Sequence, residues 1–187
     1  DKHSVGAEYQ YNYWGNKDFS ESWTERKLAD VTSRSESVYD NSNRSHMMTA
    51  TLNYIYKLDQ MGSTFKLIGD YTDSKSPAAN NYFDTTFDPL TPTIRKDSTY
   101  RYAANSHYQM ATATAALEKV LSQKVILKAG LKYTYNNNAN KADYEYLKNE
   151  EWLYNDHNSY DIGYTENIGA AYLIATARLG RVSLVGG

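Results

Sequence analysis

The sequence predicts an all-β protein, an antiparallel transmembrane β-barrel of which this chain supplies about seven strands. Residues 125–135 alternate strictly, with Leu127 and Leu131 on one side and Lys128 and Lys132 on the other, which is the period of a strand with two different environments. The chain has 19 tyrosines against four phenylalanines, and a ring with a polar tip is favoured where hydrocarbon meets water. Short turns also alternate with long polar segments, as they do in membrane barrels.

Composition restricts the alternatives. At 187 residues the chain is long enough for one all-β domain, and it contains no cysteine, which excludes disulfides, thiol catalysis and cysteine-bound metals. The net charge of -2 and the absence of a basic run argue against nucleic acid as a partner. The mean hydropathy of -0.73 is compatible with a membrane barrel, because only alternate residues face lipid. The sequence has no run approaching the ~18 apolar residues of a membrane helix.

The first three strands follow from alternation. Strand one is predicted at residues 4–14, where alternate positions are Val, Ala and Tyr. Strand two is predicted at 46–58, and a turn with a closing glycine at 59–62 leads into strand three at 65–72. Residues 15–43 are polar without a sustained apolar pattern, so a long loop is expected there, with residues 28–32 or 37–39 as candidates for a short extension of a strand.

The second half repeats this organisation. Residues 73–98 contain all three prolines, which cannot donate to a strand ladder, so a second long loop is expected. Strand four is predicted at 99–121, a short turn within 119–124, and strand five at 125–135. A third loop is expected at 136–159, strand six at 160–178, a turn at 179–181 and strand seven at 182–187.

Strand six has two possible phases. Either Ala171, Leu173, Ala175 and Ala177 face outward, or Ile168, Ala170, Tyr172 and Ile174 do. Both sets are apolar, so the sequence leaves this choice open.

The spacing of the connections predicts where the barrel sits. Short turns recur about sixty residues apart with long polar segments between them, and outer-membrane barrels place short turns in the periplasm and long loops outside. We therefore expect the outer membrane of a Gram-negative bacterium. Seven strands are an odd number and the first residues lack the apolar core of a signal peptide, so we expect an internal segment of a larger barrel.

Several strands resemble a known family. Residues 127–135 read LKAGLKYTY and are similar to the aGlrY strands of large outer-membrane receptors. Residues 164–172 (YTENIGAAY) and 180–187 (GRVSLVGG) resemble a strand pair of the TonB-dependent-receptor-like barrels of Bacteroidetes. The resemblance implies a barrel of about twenty-two strands, a plug domain that this sequence does not contain, and nutrient uptake energised from the inner membrane. A surface lipoprotein is a further partner that it implies.

No motif predicts catalysis, a cofactor or a metal site, and we expect no enzyme. His3, His46, His107 and His157 are scattered without metal-ligand spacing, so ordinary polar residues are the simpler interpretation. The acid pairs Asp84 with Asp88 and Glu150 with Glu151 lack the glycine-bearing calcium pattern and are interpreted as solvated acids. The sequence contains neither a Gly-x-Ser-x-Gly elbow nor a glycine-rich phosphate loop.

Aromatic and charged residues give three sets of candidates. The aromatic residues of the polar segments are candidate ligand contacts, although packing among loops is the commoner role: Trp23, Tyr39, Tyr82, Phe83, Phe87, Trp152 and Tyr154. An interfacial girdle is predicted from Tyr13, Trp14, Tyr71, Tyr100, Tyr102, Tyr133 and Tyr135. The charges expected to face a wet lumen are Lys66, Asp70, Lys128 and Lys132.

These expectations define one principal function and two alternatives. The principal reading is an outer-membrane receptor or transporter segment that contacts membrane lipid and takes up a nutrient, with its ligand unnamed. The first alternative is a structural or adhesive barrel without transport. The second is a secreted, soluble glycan-binding β-sandwich, in which a second sheet would cover the tyrosine faces.

Overall fold

The computed structural model describes residues 1–28, 31–87, 94–179 and 182–187. Its eight strands are β1 (His3–Leu28), β2 (Val31–Lys57), β3 (Thr64–Phe87), β4 (Ile94–Ser122), β5 (Val125–Lys148), β6 (Glu151–Tyr154), β7 (Tyr160–Leu179) and β8 (Val182–Gly186). They form a single sheet in the order β1-β2-β3-β4-β5-β7-β8, and β6 pairs with the end of β5. All pairings are antiparallel.

The register separates the sheet into two chemically different faces, because directly opposite residues of antiparallel strands point the same way. One row on the apolar face joins Tyr54, Leu67, Ala115, Leu131 and Ala171 across five strands. A row on the polar face joins Glu8, Thr51, Asp70, Thr112 and Thr134. We use the terms apolar face and polar face for the sides of the sheet defined by these two rows.

No second layer covers either face in the described part of the chain. Ala142 is the one buried hydrophobic residue there, whereas Leu131 is 63% exposed and Tyr133 is 50% exposed. A soluble sandwich would bury such a row against another sheet, so the soluble alternative has no support in this arrangement. The described residues contain no helix of the length and hydropathy needed to cross a membrane.

The apolar face forms a band of limited height next to the short connections. On β5 it runs from Leu127 to Tyr135, and on β3 it ends at Tyr71, beyond which Asp73 is the next residue on the same face. Strands of about 9–11 residues are enough to cross a bilayer when tilted. Strands β1–β5 and β7 continue well beyond this band, and we call the continuation the strand extension.

The strand extension corrects the three predicted long loops. Residues 15–28 and 31–43 are strand, as are 73–87, 94–98 and 136–148, and β6 is a further strand within 136–159. Sequence alternation fails here because both faces of the extension are polar, so nothing forces a period of two. Asn149 (φ 51°) and Glu150 (φ 66°) connect β5 to β6, which is the backbone of a two-residue type I′ hairpin.

Pro77 shows why the proline argument was wrong at this position. It lies within β3 and opposite Asn105 of β4, while the pairing of β3 with β2 is interrupted between His46 and Asn43. The missing N–H therefore interrupts one ladder locally and leaves the other intact. Pro89, Pro92 and Asp88 lie outside the described residues.

The turn between β2 and β3 is built around one carboxylate. Asp59 Oδ1 accepts hydrogen bonds from the backbone N of Met61 (2.9 Å) and Ser63 (3.1 Å), and its Oδ2 accepts one from Lys119 Nζ (2.8 Å). Gly62 has φ +99°, a value that glycine adopts without strain. The β4–β5 connection occupies residues 123–124, and residues 180–181 of the third predicted turn lie outside the described part.

Candidate ligand-binding surface

Four tyrosines from four neighbouring strands meet on the polar face of the strand extension. Tyr39 of β2 is opposite Tyr82 of β3, which is opposite Tyr100 of β4, and Tyr144 of β5 lies diagonally to Tyr100. Tyr82 is eleven residues beyond Tyr71, or about 35 Å further along β3 at the rise of a strand. We call Tyr39, Tyr82, Tyr100 and Tyr144 the tyrosine ladder.

The rings of the ladder are in direct contact. Ring centroids lie 4.9 Å apart for Tyr39 and Tyr82, 4.6 Å for Tyr82 and Tyr100, and 5.3 Å for Tyr100 and Tyr144. The last two pairs are stacked, with interplanar angles of 12° and 19°. Because stacked rings cover one another's faces, the ladder offers a partner mainly its ring edges and hydroxyl groups.

The hydroxyl groups of Tyr82, Tyr100 and Tyr144 remain protonated at neutral pH. Burial, followed by the nearby Asp84 carboxylate, raises the pKa of Tyr100 to about 12. Burial also raises the pKa of Tyr82 and of Tyr144. A protonated phenol can both donate and accept a hydrogen bond, and Tyr39 already donates one to Asn80 Oδ1 at 3.1 Å.

A cavity of about 480 Å³ adjoins the Tyr100 and Tyr144 end of the ladder. Its lining includes Tyr146, Lys148 and Asn158. The loop that carries Asn158 is fastened to β5, because Tyr144 N donates to Ser159 Oγ at 2.9 Å and the backbone N of residue 155 donates to Tyr144 O at 2.8 Å. Phenols, an ammonium group and an amide thus surround one polar space.

The candidate ligand aromatics divide between the two faces. Tyr39 and Tyr82 belong to the ladder, whereas Trp23, Phe83, Trp152 and Tyr154 lie on the opposite side, the one continuous with the apolar face. The guanidinium of Arg101 lies 4.3 Å from the ring centroid of Trp152, and that of Arg34 lies 5.6 Å from the ring of Trp23. Each tryptophan therefore covers a neighbouring cation on its own face.

The girdle assignment needs correction for three residues. Tyr13, Tyr71, Tyr133 and Tyr135 lie on the apolar face, as an interfacial girdle requires. The pairings place three others on the polar face, because they occupy the alternate positions of their strands: Trp14, Tyr100 and Tyr102. For the first four residues the girdle remains a prediction.

The charges predicted to line a lumen are all on the polar face: Lys66, Asp70, Lys128 and Lys132. Asp70 joins three strands, since its carboxylate accepts hydrogen bonds from Thr51 Oγ1 at 2.9 Å and from Thr112 Oγ1 at 2.8 Å. Lys128 Nζ lies 3.1 Å from Glu118 Oε2. These bonds satisfy polar groups across strands, as a water-lined wall requires.

The described residues contain no group of three or more histidine, aspartate or glutamate side chains that could hold a metal ion. Three of the histidines are instead within hydrogen-bond distance of a neighbouring side chain. His107 Nε2 lies 2.8 Å from Asp73 Oδ2, His3 bonds the hydroxyl of Tyr54 at 2.8 Å, and His46 bonds that of Tyr11 at 2.7 Å.

Sequence reasoning missed Tyr144 and misplaced Tyr100. Residues 143–146 read Asp-Tyr-Glu-Tyr, a short alternation that signals a strand with tyrosines on one face. That signal was available but stood inside a segment too polar to suggest a sheet. Only the register of the extended strands brings these rings beside Tyr39 and Tyr82.

A single antiparallel sheet with one apolar band, short connections on one side and long strands on the other defines the wall of an outer-membrane-type β-barrel. Residues 56–187 match the outer membrane protein beta-barrel family, and the chain belongs to this family. Its location is the outer membrane of Gram-negative bacteria, so the short connections are periplasmic and the strand extension is extracellular.

Two further comparisons add nothing about function. No curated protein matches the sequence. Among solved structures, the membrane pore complex of pneumolysin is 8% identical, and the match covers 91% of this chain with a TM-score of 0.16. The chain spans 31% of the length of that protein, and a likeness this weak carries no argument.

Proposed function

We propose that this chain forms part of the wall of a TonB-dependent-receptor-like transporter that takes up a nutrient from outside the cell. The observation that carries the proposal is the tyrosine ladder, because it lies on the polar face of the extracellular extension, where an incoming ligand enters a barrel. Rigid scaffolds that present aromatic and polar groups are typical of binding sites. The proposal assigns no enzymatic step to the chain.

The chemistry of the ladder favours a polyhydroxylated ligand such as a glycan. Stacking holds the phenol groups in a fixed row, so little side-chain entropy is lost when they bind. Protonated phenols donate to and accept from ligand hydroxyl groups. Lys148 and Asn158 beside the adjoining cavity supply further polar contacts. Flat sugar faces can also contact the uncovered faces at the two ends of the ladder.

The partners of this transporter belong to the same proposal. Membrane lipid contacts the apolar band. Uptake against a gradient needs energy from an inner-membrane complex, and a surface lipoprotein would assist capture at the extracellular side. The resemblance of residues 127–135 and 164–187 to TonB-dependent-receptor-like barrels supports both protein partners.

An adhesive barrel without transport is the second candidate, and one observation favours it. Phe19 and Trp23 of β1 are each 65% exposed on the outward side of the extension, and Phe83 lies on the same side two strands away. Exposed aromatic residues of this kind are enriched at protein contacts. An adhesin would use this outward side and would leave the tyrosine ladder without a ligand.

The test uses the full-length protein with the paired change Tyr82→Phe and Tyr100→Phe. It removes two hydroxyl groups and keeps the stacked rings. Loss of two hydrogen bonds, each worth about 1 kcal/mol, is expected to weaken glycan binding by about thirtyfold. Binding of a glycan panel to the purified receptor and uptake by intact cells are the two measurements.

The matched control is Phe83→Leu, which changes the adjacent residue on the opposite side of β3 and is expected to leave glycan binding and uptake unchanged. Heat resistance in SDS gels should be the same in all variants, which shows that the barrel is intact. If the paired variant bound and took up glycan as well as the wild type does, the ligand role of the ladder would be refuted. Loss of cell adhesion in Phe83→Leu, with uptake unaffected by either change, would favour the adhesin.

A further inference from the structure

Three cations gather on the outward side of β1–β3, immediately beyond the apolar band. Lys17, Arg44 and Lys75 lie on the same side of the sheet as the band, and all three are exposed. They are far apart in sequence, and only the strand register brings them together. On β3, Lys75 is two alternate positions beyond Tyr71, the last apolar residue of that strand.

The register places the arginine between the two lysines. Lys17 of β1 is opposite Ser42 of β2, and Lys75 of β3 is opposite His46 of β2. Arg44 lies between these two positions on β2, so each lysine is its diagonal neighbour. Diagonal Cβ atoms on one face are about 7–8 Å apart, within the reach of long side chains converging on one anion.

Small residues leave space beside two of these cations, Lys17 and Arg44. A cavity of about 250 Å³ is lined by Tyr13, Gly15, Lys17, Ser42 and Arg44. Gly15 is opposite Arg44, and a Cβ at Gly15 would lie 3.6 Å from Arg44 Cγ and 3.6 Å from the hydroxyl of Tyr13. The stem of Arg44 and the phenol of Tyr13 thus border the same open position at Gly15, where a Cβ would be tightest against the backbone oxygen of Asn43, at 3.1 Å.

Two carboxylates lie near the three cations on this side of the sheet: Asp73, two residues before Lys75 on β3, and Asp40 of β2, diagonal to Lys17. Among the ion pairs between described residues, none includes Lys17, Arg44 or Lys75. Asp73 is the closest acid along β3 on this side, and its Oδ2 is already bonded to His107 (2.8 Å) and Gln109 (3.0 Å). Three cations thus face two acids, which leaves an excess of positive charge for an external anion.

An apolar groove lies on the membrane side of this position, one row of side chains away (Tyr11, Met48 and Asp73). Its volume is about 580 Å³, and its lining includes Ala7, Ala50 and Gly69 together with Tyr9 and Tyr71. Most of its lining comes from the same three strands as the cations, and Thr112 of β4 is the remaining residue. One molecule with an anionic head and an apolar tail would fit the two features at once.

We propose that the outward side of β1–β3 binds an outer-leaflet lipid through its phosphate group, with an acyl chain in the apolar groove. Arg44 provides the planar fork that matches two phosphate oxygens, and Lys17 and Lys75 add point charges from either side. Tyr13 can donate a hydrogen bond from headgroup depth. The apolar groove makes a lipid the occupant rather than a free anion.

The experiment measures the thermal unfolding of the full-length receptor in detergent as lipid A is added. Lipid A and its dephosphorylated form share acyl chains and differ in the phosphate. Wild-type protein is expected to gain thermal stability with the phosphorylated lipid, since a ligand of the folded state stabilises it. In the variant Arg44→Gln with Lys75→Gln, apparent affinity is expected to fall about tenfold or more.

The control variant is Lys141→Gln, which removes a cation on the same side of β5 that lies 2.9 Å from Asp143. It should respond to lipid A like the wild type. Equal stabilisation by dephosphorylated lipid A would overturn the proposal, and so would an equal response of the Arg44 and Lys75 variant. Stabilisation by inorganic phosphate alone to the same extent would show a free-anion site and overturn the assignment to lipid. Arg44→Lys, which keeps the charge and loses the fork, should give an intermediate affinity.

Discussion

Leu131→Arg is the sharpest test of which side of the sheet faces lipid. Leu131 lies at the middle of the apolar band on β5, four residues from both Leu127 and Tyr135. It is 63% exposed, and its row neighbours Ala115 and Ala171 are too small to shield an arginine. In a bilayer, that exposed surface contacts acyl chains.

The magnitude follows from the depth of the residue. The eight steps from Leu127 to Tyr135 on β5 rise about 3.4 Å each, and a tilt of about 40° gives roughly 21 Å across the membrane, close to the ~25 Å apolar band of such barrels. Leu131 is therefore near the midplane, where an arginine costs about 2–4 kcal/mol. The same change at Tyr135, at the edge of the band, is expected to cost about 0–1 kcal/mol.

The matched control is Ile68→Arg, which makes a similar replacement on the polar face. Ile68 is 37% exposed and lies opposite Asn53 and Thr114, at nearly the depth of Leu131. Because the polar face is in water, its cost is expected to stay below about 1 kcal/mol. The free energy of unfolding would be measured by guanidinium titration of the full-length protein folded in vesicles. If Ile68→Arg lowered the free energy of unfolding as much as Leu131→Arg does, the assignment of the two faces would be refuted.

Two further predictions concern single residues. The bonds to Lys119 and Ser63 lower the pKa of Asp59 from its ordinary 3.8, so its ionised form stabilises the fold above that pH, and the stabilisation is lost as the pH falls below it. In guanidinium titrations, the free energy of unfolding of the wild type should therefore exceed that of Asp59→Asn at neutral pH, and this difference should shrink below about pH 4. A difference that does not depend on pH would contradict the role of the charge. Gly130→Val should lower the free energy of unfolding by about 1–3 kcal/mol, because a Cβ at this position would collide with the ring of Tyr172. The double change with Tyr172→Ala should restore part of the loss, and an unchanged single variant would show that the ring moves away freely.

The sequence predicted the membrane band well because the environment imposes the pattern there. Lipid on one side and water on the other select side chains alternately, so residues 125–135 and 46–57 show a period of two. The polar-face positions of Lys66, Asp70, Lys128 and Lys132 follow from the same rule.

The extracellular extension could not be predicted in this way. Water surrounds both sides of the sheet there, so a serine, asparagine or aspartate is acceptable at any position and the period disappears. Cross-strand pairs hold these strands instead, such as Ser106 Oγ donating to Asn140 Oδ1 at 2.7 Å. The tyrosine ladder depends on partners separated by tens of residues, which no local pattern contains.

The choice of phase for strand six shows how packing decides where composition does not. The structure pairs Ala171 with Leu131 and Tyr172 with Gly130, so the alanine set lies on the apolar face and Tyr172 on the polar face. Gly130 is the one β5 position where the ring of Tyr172 can lie directly over the backbone of its partner, since a Cβ there would collide with it. The opposite phase would put Tyr172 opposite a residue with a side chain and lose this contact. A glycine facing an aromatic residue therefore sets the register of two strands whose hydrophobic patterns allow either phase.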